Sequence, residues 1–352
     1  MKENLLIYGC YGYTGNLITK LAVEKGLKVI VAGRDAAKTE AVAKEFAVPF
    51  AVFDLADEKS VANNLANVKV VLHCAGPFKY TALPMAKACL ATQTHYLDIT
   101  GEIEVFEAMQ RLDIAAKEKN VLLMPGVGFD VVPSDCMSLF LKEQMPDATN
   151  LELAIMTVGG TLSHGTSITV VENLGGGSAR RENGKIIATK SGYNTKEFDF
   201  KFTKKIGVEI PWGDVSTAFF TTKIPNITVF NILPKSLVKN MRLSNYLGFI
   251  LKQRFVKDFL IKKIKQKPAG PDAQMREKAK LYILGTVTNG NKEVRALLSM
   301  PEGYWLTAMT AVQIATECMK DSFAKNGYQT PAAVFGADFI LQFTDVKREV
   351  LA

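Results

Sequence analysis

Short apolar runs and helical stretches alternate over the first 130 positions. Runs at 4–8, 28–32, 50–53, 69–74, 95–99 and 121–125 are rich in Leu, Ile and Val and end on Gly, Pro or a charged residue, so they predict strands. Between them, apolar positions spaced three and four apart, such as Leu17, Ile18, Leu21 and Ala22, predict helices near 14–25, 36–46, 58–65, 81–92 and 103–119. Strict alternation of this kind makes an α/β fold, a Rossmann-type doubly wound parallel sheet. Ligands of such sheets bind beyond the carboxyl ends of the strands. The residues just after each strand are therefore the ones expected to carry chemistry.

From about 149 the pattern changes. β-rich runs at 151–158, 166–171, 185–190, 198–202, 227–232, 280–288 and 293–300 are separated by turn signals such as Asn183-Gly184 and Asn289-Gly290, the second of which reads as a hairpin connection. They predict a second, mostly antiparallel α+β domain. The stretch 304–320 is helical again, with Tyr304, Ala308, Ala311, Ile314, Ala315 and Cys318 on one small-residue face. The expected division is residues 1–132 as a nucleotide-binding domain, 133–302 as an inserted α+β domain for substrate or dimerisation, and 303–352 as a C-terminal helical segment packing back on the first domain.

The strand ends specify a ligand. Gly9, Gly12 and Gly15 follow the first strand in G-x-x-G-x-x-G spacing and open the first helix. Small residues there allow a tight turn and a close backbone approach to a pyrophosphate, and the helix N-terminus offers free N–H groups. The turn Gly9, Tyr11, Gly12, Tyr13, Thr14, Gly15 is thus a cofactor candidate. The second strand ends on Ala32-Gly33-Arg34. An acid there would hydrogen-bond a ribose 2′-hydroxyl, whereas the Arg34 guanidinium suits a 2′-phosphate. The expected cofactor is NADP. Lys38 either clamps the same phosphate or is an ordinary exposed lysine. Asp54 and the turn Ala75, Gly76, Pro77, Phe78 complete the cofactor candidates, the latter as a rigid wall for the nicotinamide.

Composition narrows the class. Of the 352 residues, 48% are hydrophobic and 22% charged, as in an ordinary globular protein, and no stretch reaches the length of a membrane span. The first residues lead directly into a strand without an apolar leader, so a cytoplasmic location is expected. Cys10, Cys74, Cys89, Cys136 and Cys318 are scattered without C-x-x-C spacing, which fits reduced thiols and no metal site. Charge is concentrated: residues 235–267 hold ten basic side chains and one acid, Asp258, a net +9 in a chain of net +8. The same stretch carries Leu243, Tyr246, Phe249, Phe255 and Phe259, so it reads as one or two basic amphipathic helices. The favoured expectation is that their apolar face packs on their own domain. Peripheral contact with an anionic membrane or an acidic partner is the alternative. Nucleic acid is not expected, because no recognition motif accompanies the charge.

Read together, Gly12-Tyr13-Thr14-Gly15, Ala32-Gly33-Arg34, Cys74-Ala75-Gly76-Pro77-Phe78, His95-Tyr96-Leu97-Asp98-Ile99-Thr100-Gly101-Glu102 and Pro125-Gly126-Val127-Gly128-Phe129-Asp130 resemble the saccharopine dehydrogenase-like oxidoreductases. The branch with trans-acting enoyl reductases is the most similar, with support from Gly159-Gly160-Thr161, Gly270-Pro271 with Arg276, and Thr330-Pro331-Ala332. The resemblance is dense over 8–135 and thin over 185–265. It implies hydride transfer from NADPH and an inserted domain that mediates a homodimer. It does not imply saccharopine as substrate.

Hydride transfer also needs a proton donor. His164, in a polar loop of the second domain, can supply one near neutrality. Tyr80, beside Lys79 just after the nicotinamide wall, can protonate an enolate or alkoxide. Asp130 is a carboxylate at a strand end. Asp98, Glu102 and Asp135 share such positions, although Asp135 also suits a helix cap. His73 and His95 lie in apolar strands and read as structural. No tyrosine is followed four residues later by lysine, so the pair used by short-chain dehydrogenases is absent. The function expected is reduction of a C=C, C=O or C=N bond in an acid or acyl substrate. An NADP-binding sensor or membrane-associated module without turnover is the alternative.

Overall fold

Strands β1 (Asn4–Tyr8), β2 (Val29–Gly33), β3 (Phe50–Val52), β4 (Val68–His73), β5 (His95–Asp98) and β6 (Leu122–Met124) alternate with helices α1 (Tyr13–Glu24), α2 (Ala36–Phe46), α3 (Glu58–Leu65), α4 (Phe78–Thr92), α5 (Ile103–Gln110) and α6 (Asp113–Glu118). This is a computed structural model, and it describes residues 2–351. The pairings are all parallel and the strand order is β3-β2-β1-β4-β5-β6, the order of a dinucleotide-binding sheet. Central strands β1 and β4 are almost wholly buried, and their near-continuous apolar runs are what made them legible. The helix expected at 81–92 begins earlier, at Phe78, with Pro84 inside it. The one expected over 103–119 is two.

The chain then builds a second compact unit from residues 133–302. Its strands are β7 (Asn150–Val158), β8 (Ser178–Glu182), β9 (Lys185–Thr189), β10 (Thr195–Asp199), β11 (Lys204–Glu209), β12 (Asn226–Ile232), β13 (Lys280–Thr288) and β14 (Glu293–Met300). Its helices are α7 (Val132–Gln144), α8 (His164–Glu172), α9 (Asp214–Thr222), α10 (Lys235–Leu251), α11 (Arg254–Ile264) and α12 (Ala273–Lys278). The sheet is mixed. β7 pairs parallel with β12 and antiparallel with β13; the hairpin expected at Asn289-Gly290 forms, and the turn at Asn183-Gly184 also closes a hairpin, between β8 and β9. One expectation fails: 166–171 is not a strand. Its β-branched run Thr166, Ile168, Thr169, Val170 and Val171 lies in α8, because Ser163 caps the helix by accepting from Thr166 N at 3.2 Å. Local capping overrides β propensity here.

The C-terminal segment returns to both units. Helix α13 (Gly303–Cys318) packs on α1, and β15 (Gly327–Tyr328) pairs with β6 as a seventh strand of the first sheet. From residue 335 onward the chain joins the second unit instead, where β16 (Lys347–Leu351) pairs antiparallel with β14. The expected C-terminal segment 303–352 is thus divided. The five cysteines are free. Among the described residues no helix is long and apolar enough to cross a membrane, and no cluster of residues fits a metal ion.

Candidate cofactor site

At Gly9 and Gly15 the glycine turn is fixed by backbone contacts that admit no side chain. Gly9 has φ +86°, and a Cβ on it would lie 2.9 Å from Ala75 N. A Cβ on Gly15 would lie 2.3 Å from Gly9 O, and the turn closes through Gly12 N donating to Gly9 O at 3.0 Å. Helix α1 starts after Gly12, with no side-chain cap and no acidic residue in its first turn. Its leading N–H groups and positive dipole end therefore remain for an anion. Tyr13 meets Tyr304 of α13 edge to face at 5.1 Å, which pins the outer side of the turn.

At the end of β2, Arg34 is exposed and makes no ion pair among the described residues. The Tyr11 ring lies against Gly33, so close that a Cβ on Gly33 would meet it at 2.4 Å. Lys38 stands 5.7 Å above that ring but is held by Asp35 at 3.1 Å, so its charge is partly spent locally. Asp54 accepts from Ala56 N and shapes the turn after β3. Tyr8 donates to Phe53 O at 3.1 Å from a buried site that pushes its hydroxyl up to about 12.

The ends of β4, β5 and β6 form the other half of the site. Gly76-Pro77-Phe78 leads into α4, whose first N–H groups are capped from a distance. Phe78 N and Lys79 N donate to the two oxygens of Glu102 at 2.9 and 2.8 Å. Glu102 was recognisable only as a strand-end acid; nothing local in the sequence pairs it with residue 78. His73 is buried, and desolvation lowers its pKa to about 3, so it is neutral. The Thr81 hydroxyl donates to Ala75 O at 2.7 Å, so the 2.9 Å contact between His73 Nε2 and Thr81 has the imidazole as donor. Asp98 is structural: Tyr96 donates to it at 2.6 Å, and Thr100 N and Gly126 N donate to its other oxygen, both at 2.9 Å. Burial nevertheless raises its pKa to about 6.

Asp130 differs. It lies against Gly101, where a Cβ would meet its Oδ2 at 2.9 Å. The residue keeps some exposed surface while its carboxyl is packed among protein atoms. Desolvation, and secondarily the charge of Glu102, raises its pKa to about 7. The loop that carries it is tied to α13, with Phe129 N donating to Thr307 Oγ1 and Thr310 Oγ1 donating to Val127 O.

The other proton-donor candidates are placed differently. Tyr80 is 57% exposed on α4, and Lys79 stands over its ring face at 4.9 Å rather than at the hydroxyl. His164 belongs to the second unit, where its Nε2 donates to Lys267 O at 2.8 Å. That contact ties α8 to the chain beyond α11. Asp135 is buried and accepts from Thr221 at 2.6 Å, a helix-to-helix contact. Arg180 pairs with Glu182 and Glu209, and Arg181 is buried on the Phe219 ring.

A parallel sheet of this order, a glycine turn that excludes side chains and an uncapped helix start define a dinucleotide-binding protein. Residues 5–124 match the family description "Saccharopine dehydrogenase NADP binding domain". The chain is similar to the saccharopine dehydrogenase-like oxidoreductases, and its first unit carries the NADP-binding domain of that family. The mouse saccharopine dehydrogenase-like oxidoreductase is 27% identical over 175 residues, covering 44% of this chain and 41% of the mouse protein. The chain therefore matches only about two-fifths of the length of that relative. The Caenorhabditis elegans lipid droplet localized protein is 25% identical over 408 residues and matches nearly end to end, covering 97% of this chain and 96% of the worm protein. A Mycobacterium tuberculosis protein with the provisional name trans-acting enoyl reductase is 24% identical over 184 residues, covering 49% of this chain and 44% of that protein. Apo saccharopine dehydrogenase (L-Glu forming) from Saccharomyces cerevisiae shares the fold, with TM-score 0.67 and 14% identity over 99% of this chain and all of that one.

Proposed function

We propose that this protein is an NADPH-dependent reductase of a C=C, C=O or C=N bond in an acid or acyl substrate, with Asp130 as proton donor. The observation that carries the reading is a carboxyl packed against Gly101 in the loop beyond β6, on the half of the sheet expected to face the nicotinamide, where burial pushes its pKa up to about 7. NADPH, when bound, supplies the hydride to one atom of the double bond. Asp130 gives its proton to the other and is reprotonated from solvent. Glu102 acts on this step twice: it orders the Gly76-Pro77-Phe78 wall through α4, and its negative charge helps keep Asp130 protonated. The test is NADPH oxidation by purified protein against a panel of enoyl, keto and imine acids and their thioesters. Tight NADPH binding without turnover on any of them would favour a sensor.

Arg34 is the group proposed to select NADPH over NADH. Charge-assisted hydrogen bonds are worth ~1.5–3 kcal/mol, so Arg34→Asp should weaken NADPH binding roughly 10- to 100-fold and leave NADH nearly unchanged. Equal losses for both nucleotides, measured by fluorescence titration, would remove Arg34 from the 2′-phosphate. Lys38→Ala should cost less, since Asp35 already holds that lysine. The homodimer implied by the family is checked by sedimentation, and the cytoplasmic location by fractionation.

A further inference from the structure

Helices α10 and α11 have no buried residue between them, contrary to the favoured expectation that their apolar face packs on their own domain. On α10 it is largely the polar side that faces the protein. Asn245 exchanges hydrogen bonds with the backbone of Ser191 at 3.0 and 2.9 Å, Arg242 Nε donates to Gly192 O at 2.7 Å, and Gly248 packs on Gly175. Leu243, Tyr246, Leu247 and Ile250, at helical spacing on one face, point outward. Helix α11 is fastened by Lys257 and Arg254 to Glu172 and turns Phe255 and Phe259 outward. The most exposed rings are Phe255 at 72%, Tyr246 at 71% and Phe249 at 70%. An apolar surface of this kind marks a partner.

Charge identifies the partner. Lys235, Lys239, Lys252, Lys262, Lys265 and Lys267 make no ion pair among the described residues, and Lys263 sits over the Phe259 ring at 4.6 Å. The face is apolar and cationic at once. A second copy would set this positive face against itself across a two-fold axis. A bilayer with anionic headgroups offers hydrocarbon for the aromatic rings and phosphates for the lysines. We propose that α10 and α11 are a docking surface for an anionic membrane, with the helices lying in the plane of the interface.

Flotation of the full chain with vesicles of phosphatidylcholine alone, or with roughly three-tenths phosphatidylglycerol, tests this. Binding is expected only to the anionic vesicles and should fall as salt rises. Changing Lys262, Lys263 and Lys265 to Gln should weaken it roughly a hundredfold, from the contribution of each lysine near such a surface. Phe255→Ser with Phe259→Ser should weaken binding roughly tenfold or more even at low salt. Both variants should keep the wild-type circular dichroism spectrum and melting temperature, which checks folding. Failure to bind anionic vesicles, equal binding to both vesicle types, or binding unchanged in both variants overturns the proposal. Conversion of a dimer to a monomer by the phenylalanine changes, without effect on flotation, assigns the face to a second copy instead.

Discussion

Gly15→Ala should weaken NADPH binding by roughly a hundredfold or more, the cost expected when a well-packed backbone must move to admit a methyl group. The new Cβ would lie 2.3 Å from Gly9 O and 3.0 Å from Gly9 C. Those are backbone atoms, so no rotamer change relieves the clash. Gly9 cannot retreat freely either, because it is held at φ +86° against Ala75. Relief must come from moving the start of α1 away from β1, which pulls its N–H groups from the phosphate position. Gly12→Ala is the graded control. Its Cβ would meet Gly9 O at 3.2 Å, a contact that a shift of a few tenths of an ångström relieves. The expected order of affinity, by isothermal titration, is wild type above Gly12→Ala above Gly15→Ala, with similar circular dichroism for all three. Binding by Gly15→Ala within threefold of wild type would mean the phosphate is not held at this turn.

The cofactor half of the molecule was legible because its signals are local. Buried parallel strands read as unbroken apolar runs, and the strand ends carry the glycine, proline or charged residues expected where a sheet of this kind meets its ligand. Capping contacts between distant segments were not legible. Glu102 serves the start of α4 from 23 and 24 residues away. The same limit applied to α8, where one serine outweighed a β-branched run. For α10 and α11, periodicity identified an amphipathic pair. It could not say which side would face inward, because that depends on what Ser191, Gly192 and Glu172 offer as hydrogen-bond partners. The tail after residue 335 joins the second unit and not the first, through a five-residue strand whose sequence Lys347-Arg348-Glu349-Val350-Leu351 carries no period-2 signal.

Asp130→Asn should lower kcat by roughly 10²–10⁴-fold, the usual contribution of a positioned acid. The wild-type rate should fall as pH rises through about 7, because only the protonated carboxyl can donate, and the residual Asn rate should lack that limb. Stability should respond to the substitution in the opposite direction to activity. The folded-state pKa of Asp130 is raised from 3.8 to about 7, so the unfolded chain ionises it more readily. Its favourable contribution is full below about pH 4 and is lost progressively as pH rises to about 7. Asn carries no such penalty. The variant should therefore melt higher than wild type at pH 8, with the advantage shrinking toward pH 4. A purely structural aspartate would lose stability on substitution, so loss of turnover with gain of stability distinguishes the two roles. Glu102→Gln provides the cross-check. It keeps an acceptor for α4 but removes the charge that helps raise Asp130, so the falling limb of the pH profile should shift to lower pH. Full activity in Asp130→Asn at pH 6 would transfer the proton-donor role to Tyr80, which Tyr80→Phe would then test.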